Sequence, residues 1–161
     1  MSAEEDVKRA IEMVRKEGPS REFNLYLQKL RQEDFLAYSA VKVYLWSLRN
    51  QCSQVIKGGT RLLPKVSDRP WLAWHLFTTL SIAYRIMGEM ETAETFLHRA
   101  LEVAALIGDT ENIARTRLQI CVNRFLRGEY EQAYKDFLNY NKDPAAWQPH
   151  MAVFFWGYYP S

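Results

Sequence analysis

Cysteine is nearly missing from this chain. Cys52 and Cys121 are the only two in 161 residues, too few for a disulfide framework. Both fall within apolar helical runs, which favours buried free thiols and a reducing compartment. Glycine and proline are scarce too, seven and six, and they gather at a few points, which suits long helices joined by short turns. No segment alternates with period two, so no sheet is expected. No apolar run approaches the roughly 20 residues of a membrane span; the longest uncharged candidate, residues 151–160, is far shorter. The first residues, Met1-Ser2-Ala3-Glu4-Glu5-Asp6, are acidic and lack an apolar stretch, so no signal peptide is expected and the cytoplasm is the expected location. An excess of one charge is missing as well. A formal net charge of +2 gives no support to a nucleic-acid partner or an anionic membrane.

The chemistry-bearing patterns are equally sparse. His75, His98 and His150 are far apart and share no metal-ligand spacing. There is no Cys-x-x-Cys, no His-Glu-x-x-His, no Gly-x-Ser-x-Gly and no phosphate-cradling loop; Gly58-Gly59-Thr60 lacks the lysine-serine continuation and reads as a kink. The paired carboxylates Glu89/Glu91 and Glu129/Glu131 stand at helix starts, where they suit the helix dipole. No catalytic residue, metal or cofactor is expected, and an enzyme is not.

What is present is helical periodicity. Residues 3–17 place Val7, Ala10, Ile11 and Val14 on one face. Gly18-Pro19 ends that helix, and Ser20 can cap a second through about residue 30. Asp34 can cap a third, 35–50, apolar on most sides and so expected at the centre of a stack. A fourth, 51–63, contains Gly58-Gly59, which weakens it by about 1 kcal/mol per glycine and makes a break there plausible. Residues 64–70 form a loop, and Pro70 opens a fifth helix to about 87. Helices at 91–107, 111–127 and 130–139 follow, and Asp143-Pro144 marks one further helix start.

The rest of the chain is organised around residues 71–140. Gly88-Glu89-Met90-Glu91-Thr92-Ala93 and Gly128-Glu129-Tyr130-Glu131-Gln132-Ala133 lie 40 residues apart, each between two apolar-periodic runs. Ala93 and Ala133 lie five residues past their turn glycines, Leu97 and Phe137 four further on, and Ala100 stacks on Ala93's face. Such spacing describes helical hairpins that bury their stripes against one another.

At this point the chain resembles the tetratricopeptide repeat. Phe77, Leu80, Ser81 and Tyr84 fall on the family's first-helix positions, and Ala93, Leu97 and Ala100 on its second. In the second copy Ile120, Cys121, Ala133 and Phe137 fit, whereas Arg117 and Arg124 replace two aromatics and Tyr140 replaces an alanine. The period exceeds the family's usual length of about 34 by roughly one and a half helical turns. The resemblance implies an all-α, right-handed α-α superhelix of about eight or nine antiparallel helices. It forms a single domain over 1–161: N-terminal helices to 66, two hairpins over 70–140, and a capping or interface helix over 143–161. Residues 20–63 are either a diverged earlier hairpin or unrelated helices, since they lack the turn glycine and the alanine.

The resemblance also implies a groove lined by the first helix of each hairpin: His75, Thr78, Ile82 and Arg85, then Arg115, Leu118, Val122 and Phe125. The lysines and asparagines with which some members hold a peptide carboxylate are absent, so the groove is more apolar; alternatively these residues are covered by the N-terminal helices. Arg117 and Arg124, seven apart on one face, are either surface arginines paired with acids or a patch for an acidic partner. The aromatic run with Phe154, Phe155, Trp156 and Tyr158 folds back, makes a homo-oligomer contact, or opens another repeat. The expected function is a non-catalytic scaffold or adaptor that binds another protein or peptide. The alternative is a regulatory or ligand-sensing domain of the kind associated with bacterial transcriptional regulators.

Overall fold

The computed structural model describes residues 3–140. Among them are eight α-helices and no strand: α1 (Ala3–Glu17), α2 (Arg21–Glu33), α3 (Phe35–Leu48), α4 (Cys52–Leu62), α5 (Pro70–Ile86), α6 (Met90–Ile107), α7 (Thr110–Leu126) and α8 (Tyr130–Tyr140). A 3-10 turn, Leu63–Val66, leads out of α4. The all-α class expected from the sequence is the one the chain adopts. The helix start at Asp143-Pro144 and the aromatic residues Phe154, Phe155, Trp156 and Tyr158 lie outside the described residues.

The helix starts follow from local chemistry. Ser20 accepts from the Phe23 amide at 3.0 Å, and Asp34 and Asp109 accept from Ala37 and Asn112 at 3.1 Å, each satisfying an amide that has no partner inside its helix. Asp34 also takes the Arg69 guanidinium through two bonds, 3.0 and 2.7 Å. That pairing ties the start of α3 to the start of α5.

The break considered at Gly58-Gly59 does not occur; α4 is continuous. A Cβ on Gly58 would lie 2.8 Å from the Trp46 ring, and one on Gly59 would lie 2.8 Å from Leu80 Cδ2. Neighbouring helices fill the space the two glycines leave, and this packing offsets their poor helix propensity.

The turns repeat. At α5–α6 the Gly88 amide donates to Arg85 and the Glu89 amide to Tyr84, at 3.0 and 2.9 Å; at α7–α8 Gly128 and Glu129 donate to Phe125 and Arg124, both at 3.0 Å. The α3–α4 turn has the same pattern: Asn50 donates to Ser47 and Gln51 to Trp46, at 3.1 and 3.0 Å. Asn50 has φ +55 where the others have Gly88 at +84 and Gly128 at +86. Asparagine is one of the few residues that tolerates this left-handed geometry. Asn50 therefore stands where a turn glycine was missing from the sequence pattern.

Counting from each turn residue brings out a shared pair, four before and eight after. In the α5–α6 hairpin it is Tyr84 stacked on Phe96, 5.4 Å between centroids. In α7–α8 it is Arg124 paired with Asp136. In α3–α4 it is Trp46 lying over Gly58. One inter-helix contact is thus made three ways: ring on ring, cation on anion, and large on small. Arg117 likewise lies 5.2 Å over the Tyr140 ring, where the preceding hairpin has Phe77 and Ala100. The departures in the second copy come as complementary pairs.

Each helix packs against its sequence neighbours, and α1 packs on α3 and α3 on α5. Two side-chain hydrogen bonds, Trp74 to Thr116 and Arg85 to Gln119, both 2.9 Å, join α5 to α7. The main core runs from Val7 on α1 to Ala104 on α6, with Leu72, Leu76 and Leu80 fully buried between. A smaller cluster in the last hairpin holds Leu118, Cys121, Ala133 and Phe137.

Candidate binding groove

The odd-numbered helices lie side by side and leave a groove across them. One cavity of about 340 Å³ is lined by α1 (Lys8, Arg15), α3 (Tyr44), α5 (Trp71, Trp74, His75, Thr78, Ile82) and α7 (Asn112, Arg115). A second of about 300 Å³ shares Arg15, Trp74, Thr78, Ile82 and Arg115 with it and extends to Thr116 and Gln119. The two share five residues and make one continuous depression across α1, α3, α5 and α7.

A chain of polar and ring contacts forms its floor. The Arg15 Nε donates to the Tyr44 hydroxyl at 2.9 Å. The Tyr44 ring lies 5.7 Å from His75, and His75 stacks on Trp71 at 5.6 Å with 4° between planes. The Lys8 ammonium sits 5.2 Å over the Trp71 ring, a favourable cation–π placement. Burial lowers the His75 pKa to about 4; a hydrogen bond to the Ala40 backbone opposes the shift, and the Arg15 charge adds to it. At neutral pH the imidazole is uncharged. Its Nε2 and the Trp71 Nε1 are buried without a hydrogen-bond partner, two polar atoms beside a cavity that could be satisfied from it.

The groove unites only part of the residue set expected from sequence. His75, Thr78, Ile82 and Arg115 line it. Arg85 reaches it through Gln119 and has no carboxylate partner among the described residues; burial lowers its guanidinium from the ordinary value. Arg115 is exposed at the rim and paired with Glu111 at 2.6 Å. Leu118 is buried in the α7–α8 cluster, and Val122 and Phe125 pack against that cluster, with Phe125 edge-on to Tyr130 at 4.9 Å. On α7 the groove is made instead by Glu111, Asn112, Arg115, Thr116 and Gln119.

Arg117 and Arg124 have separate partners within the fold. Arg117 covers Tyr140, while Arg124 bridges Glu94 on α6 at 3.1 Å and Asp136 on α8. Replacing Arg124 with alanine is expected to lower stability by about 1–2 kcal/mol, since the half-buried Asp136 carboxylate loses its cation and Glu94 keeps only Arg127. The double variant Arg124→Tyr with Asp136→Phe, which copies the preceding hairpin, is expected to recover most of that loss. Urea unfolding measures both; an unchanged midpoint in Arg124→Ala would show that the bridge carries no stability.

Sequence reasoning missed Lys8, Arg15, Tyr44, Trp71, Trp74, Thr116 and Gln119 as groove residues. One signal was available for Tyr44, which precedes Asn50 by the six residues that separate Ile82 from Gly88. Reading Asn50 as a turn residue would have placed it.

Cys121 is buried and Cys52 partly so, both free. Burial pushes the Cys121 thiol up to about 12, which leaves it unreactive. Among the described residues no group of three or more His, Cys, Asp or Glu side chains is arranged to hold a metal ion, and no helix is long and apolar enough to cross a membrane. Compared with protein-family models, curated proteins and solved structures, the chain matches none.

Proposed function

We propose that this protein is a non-catalytic scaffold of tetratricopeptide-like hairpins, wound as an α-α superhelix, that holds a segment of another protein in the groove across its odd-numbered helices. The observation that carries the reading is the groove's composition: apolar and aromatic walls from Trp74, Tyr44 and Ile82, together with charges of both signs, Arg15 and Arg115 against Glu12, Asp109 and Glu111. Buried aromatic anchors with a polar rim are what peptide-binding surfaces use for affinity and orientation. The repeated turns at Asn50, Gly88 and Gly128 support the superhelical arrangement.

A second reading, a ligand-sensing regulatory domain, draws on the unpartnered nitrogens of Trp71 and His75 beside the cavity. One experiment separates the two. Affinity capture from a native lysate is run with the wild type and with Thr78→Arg/Ile82→Asp, both positions being half-buried in the groove wall. A protein retained by the wild type and lost by the variant, at equal helicity, supports the scaffold. If both capture the same set, the groove is not the protein-binding surface. The sensing reading then requires a ligand-dependent change in mass by light scattering.

A further inference from the structure

Trp71 and His75 each bring an unsatisfied nitrogen to the groove, Nε1 and Nε2. Both side chains are 5% exposed, and both line the cavity of about 340 Å³. Their rings are stacked, with 5.6 Å between centroids and 4° between planes. Buried polar atoms are normally hydrogen-bonded, so two orphans on one stacked pair beside a cavity call for an explanation.

The two atoms differ in kind. An indole N–H only donates. His75 bonds to the Ala40 backbone, and because its Nε2 has no partner that bond is made by the Nδ1–H to the Ala40 carbonyl. Burial keeps the imidazole uncharged at neutral pH. The Nε2 is therefore a lone pair that accepts. Together the two nitrogens are satisfied by a group that both accepts and donates.

Several groups fail that test. A carboxylate accepts from Trp71 but turns a second lone pair toward His75. An ammonium donates to His75 and leaves Trp71 unsatisfied. The charges around the cavity favour neither sign: Lys8, Arg15 and Arg115 stand against Glu12, Asp109 and Glu111. A water meets both nitrogens, but it takes only about 30 Å³, a small part of the cavity, and Ile11, Tyr44, Trp74 and Ile82 add apolar and ring surface. A primary carboxamide on an apolar stem supplies the acceptor, the donor and no charge. Access is not barred by an ion pair. Lys8, which lies 5.2 Å over the Trp71 ring, is exposed and has no carboxylate partner among the described residues. It swings off Trp71 at the loss of one exposed cation–π contact.

We infer that the Trp71–His75 corner of the groove is a subsite for a primary carboxamide, the end group of an asparagine or glutamine side chain in the bound segment. The carboxamide oxygen accepts from Trp71 Nε1, and its N–H donates to His75 Nε2. This rests on the scaffold reading and deepens it: the groove selects segments that place an amide side chain here.

The test is a titration of the isotopically labelled full chain, read by nuclear magnetic resonance at the indole N–H signals. The chain has five tryptophans, and Trp71→Phe identifies the Trp71 signal by removing it. The probes are butyramide, butyrate and butylammonium. Butyramide is expected to move the Trp71 signal downfield and to saturate. The charged probes are expected to bind at least about tenfold more weakly, since each leaves a buried nitrogen unpaired. His75→Phe keeps a ring on Trp71 and removes the acceptor, and is expected to lose about tenfold or more in butyramide affinity. The probe comparison on the wild type is decisive even if that substitution unfolds the chain. Acetyl-glutamine methylamide is then compared with acetyl-leucine methylamide, which offers backbone amides alone, and is expected to bind at least about tenfold more tightly. No movement of the Trp71 signal with butyramide, equal binding of either charged probe, equal binding to folded His75→Phe, or equal binding of the leucine compound overturns the inference. Capture of a protein that is lost on Thr78→Arg/Ile82→Asp, with no butyramide response, overturns it and leaves the scaffold reading intact. The expected butyramide response with unchanged capture by that variant sinks the scaffold reading instead, and the carboxamide site stands as one for a free small amide.

Discussion

Leu80→Ala is expected to cost about 3–4 kcal/mol of unfolding free energy, near the middle of the range for deleting a fully buried leucine. Leu80 is 0% exposed and reaches over the Gly59 backbone of α4. Gly59→Ala has an opposite steric problem: its new Cβ would lie 2.8 Å from Leu80 Cδ2 and 3.0 Å from Cγ. Overpacking of that kind costs about 1–3 kcal/mol, against a gain of about 1 kcal/mol in helix propensity. Leu80 is fully buried, so Gly59→Ala alone is expected to destabilise. Once Leu80 is alanine the obstruction is gone, and Gly59→Ala becomes stabilising. A double-mutant cycle by urea unfolding should give a coupling of at least about 1 kcal/mol. Additive effects would mean that α4 and α5 do not interlock at this pair.

The second large effect is a pH dependence set by His75. Its folded pKa of about 4 lies below its ordinary value because burial disfavours the imidazolium. Between about pH 6.5 and 4 the unfolded chain therefore binds a proton that the folded chain does not, and stability falls as the pH drops. At 1.36 kcal/mol per pH unit the loss across that window is about 3 kcal/mol, to order of magnitude. His75→Phe keeps a ring beside Trp71 and removes the titration. Its unfolding free energy should be nearly flat from pH 7 to about 4.5 while the wild type's declines. Asp34, held below the usual carboxylate range by its bonds to Arg69, contributes stability that is lost only below about pH 4, under the His75 window. Parallel pH profiles for the two proteins would show that His75 is not buried neutral.

Much of this arrangement was legible in the residues, and the reasons are local. Ser20, Asp34 and Asp109 precede apolar-periodic runs, and each caps a helix. Gly88 and Gly128 announce left-handed turns because few other residues accept that geometry. Asn50 does the same work less visibly, so the α3–α4 hairpin was hidden from a search for glycine and alanine. Its expected alanine is Val55 and its expected large residue is Gly59, an exchange that makes sense only with Leu80 in view.

The site was less legible. His75, Thr78 and Ile82 were placed on the groove because their own hairpin is regular. Leu118, Val122 and Phe125 hold matching or near-matching positions on α7, yet they turn to the α8 cluster. The repeat pattern assigns a residue to a helix face. It does not say which neighbour covers that face.

Hydrophobic periodicity, caps and turn residues, which depend on a few adjacent residues, were enough by themselves to determine an all-helical chain with its helix ends nearly in place. Three things depended on residues far apart in the chain and were decided only when the helices packed. The Gly58-Gly59 segment stayed helical because Trp46 and Leu80 fill the space beside it. Arg124 became a bridge because Glu94 and Asp136 approach it from two other helices. The groove took Arg15 and Tyr44 because α1 and α3 come to lie beside α5, a juxtaposition that no local spacing encodes.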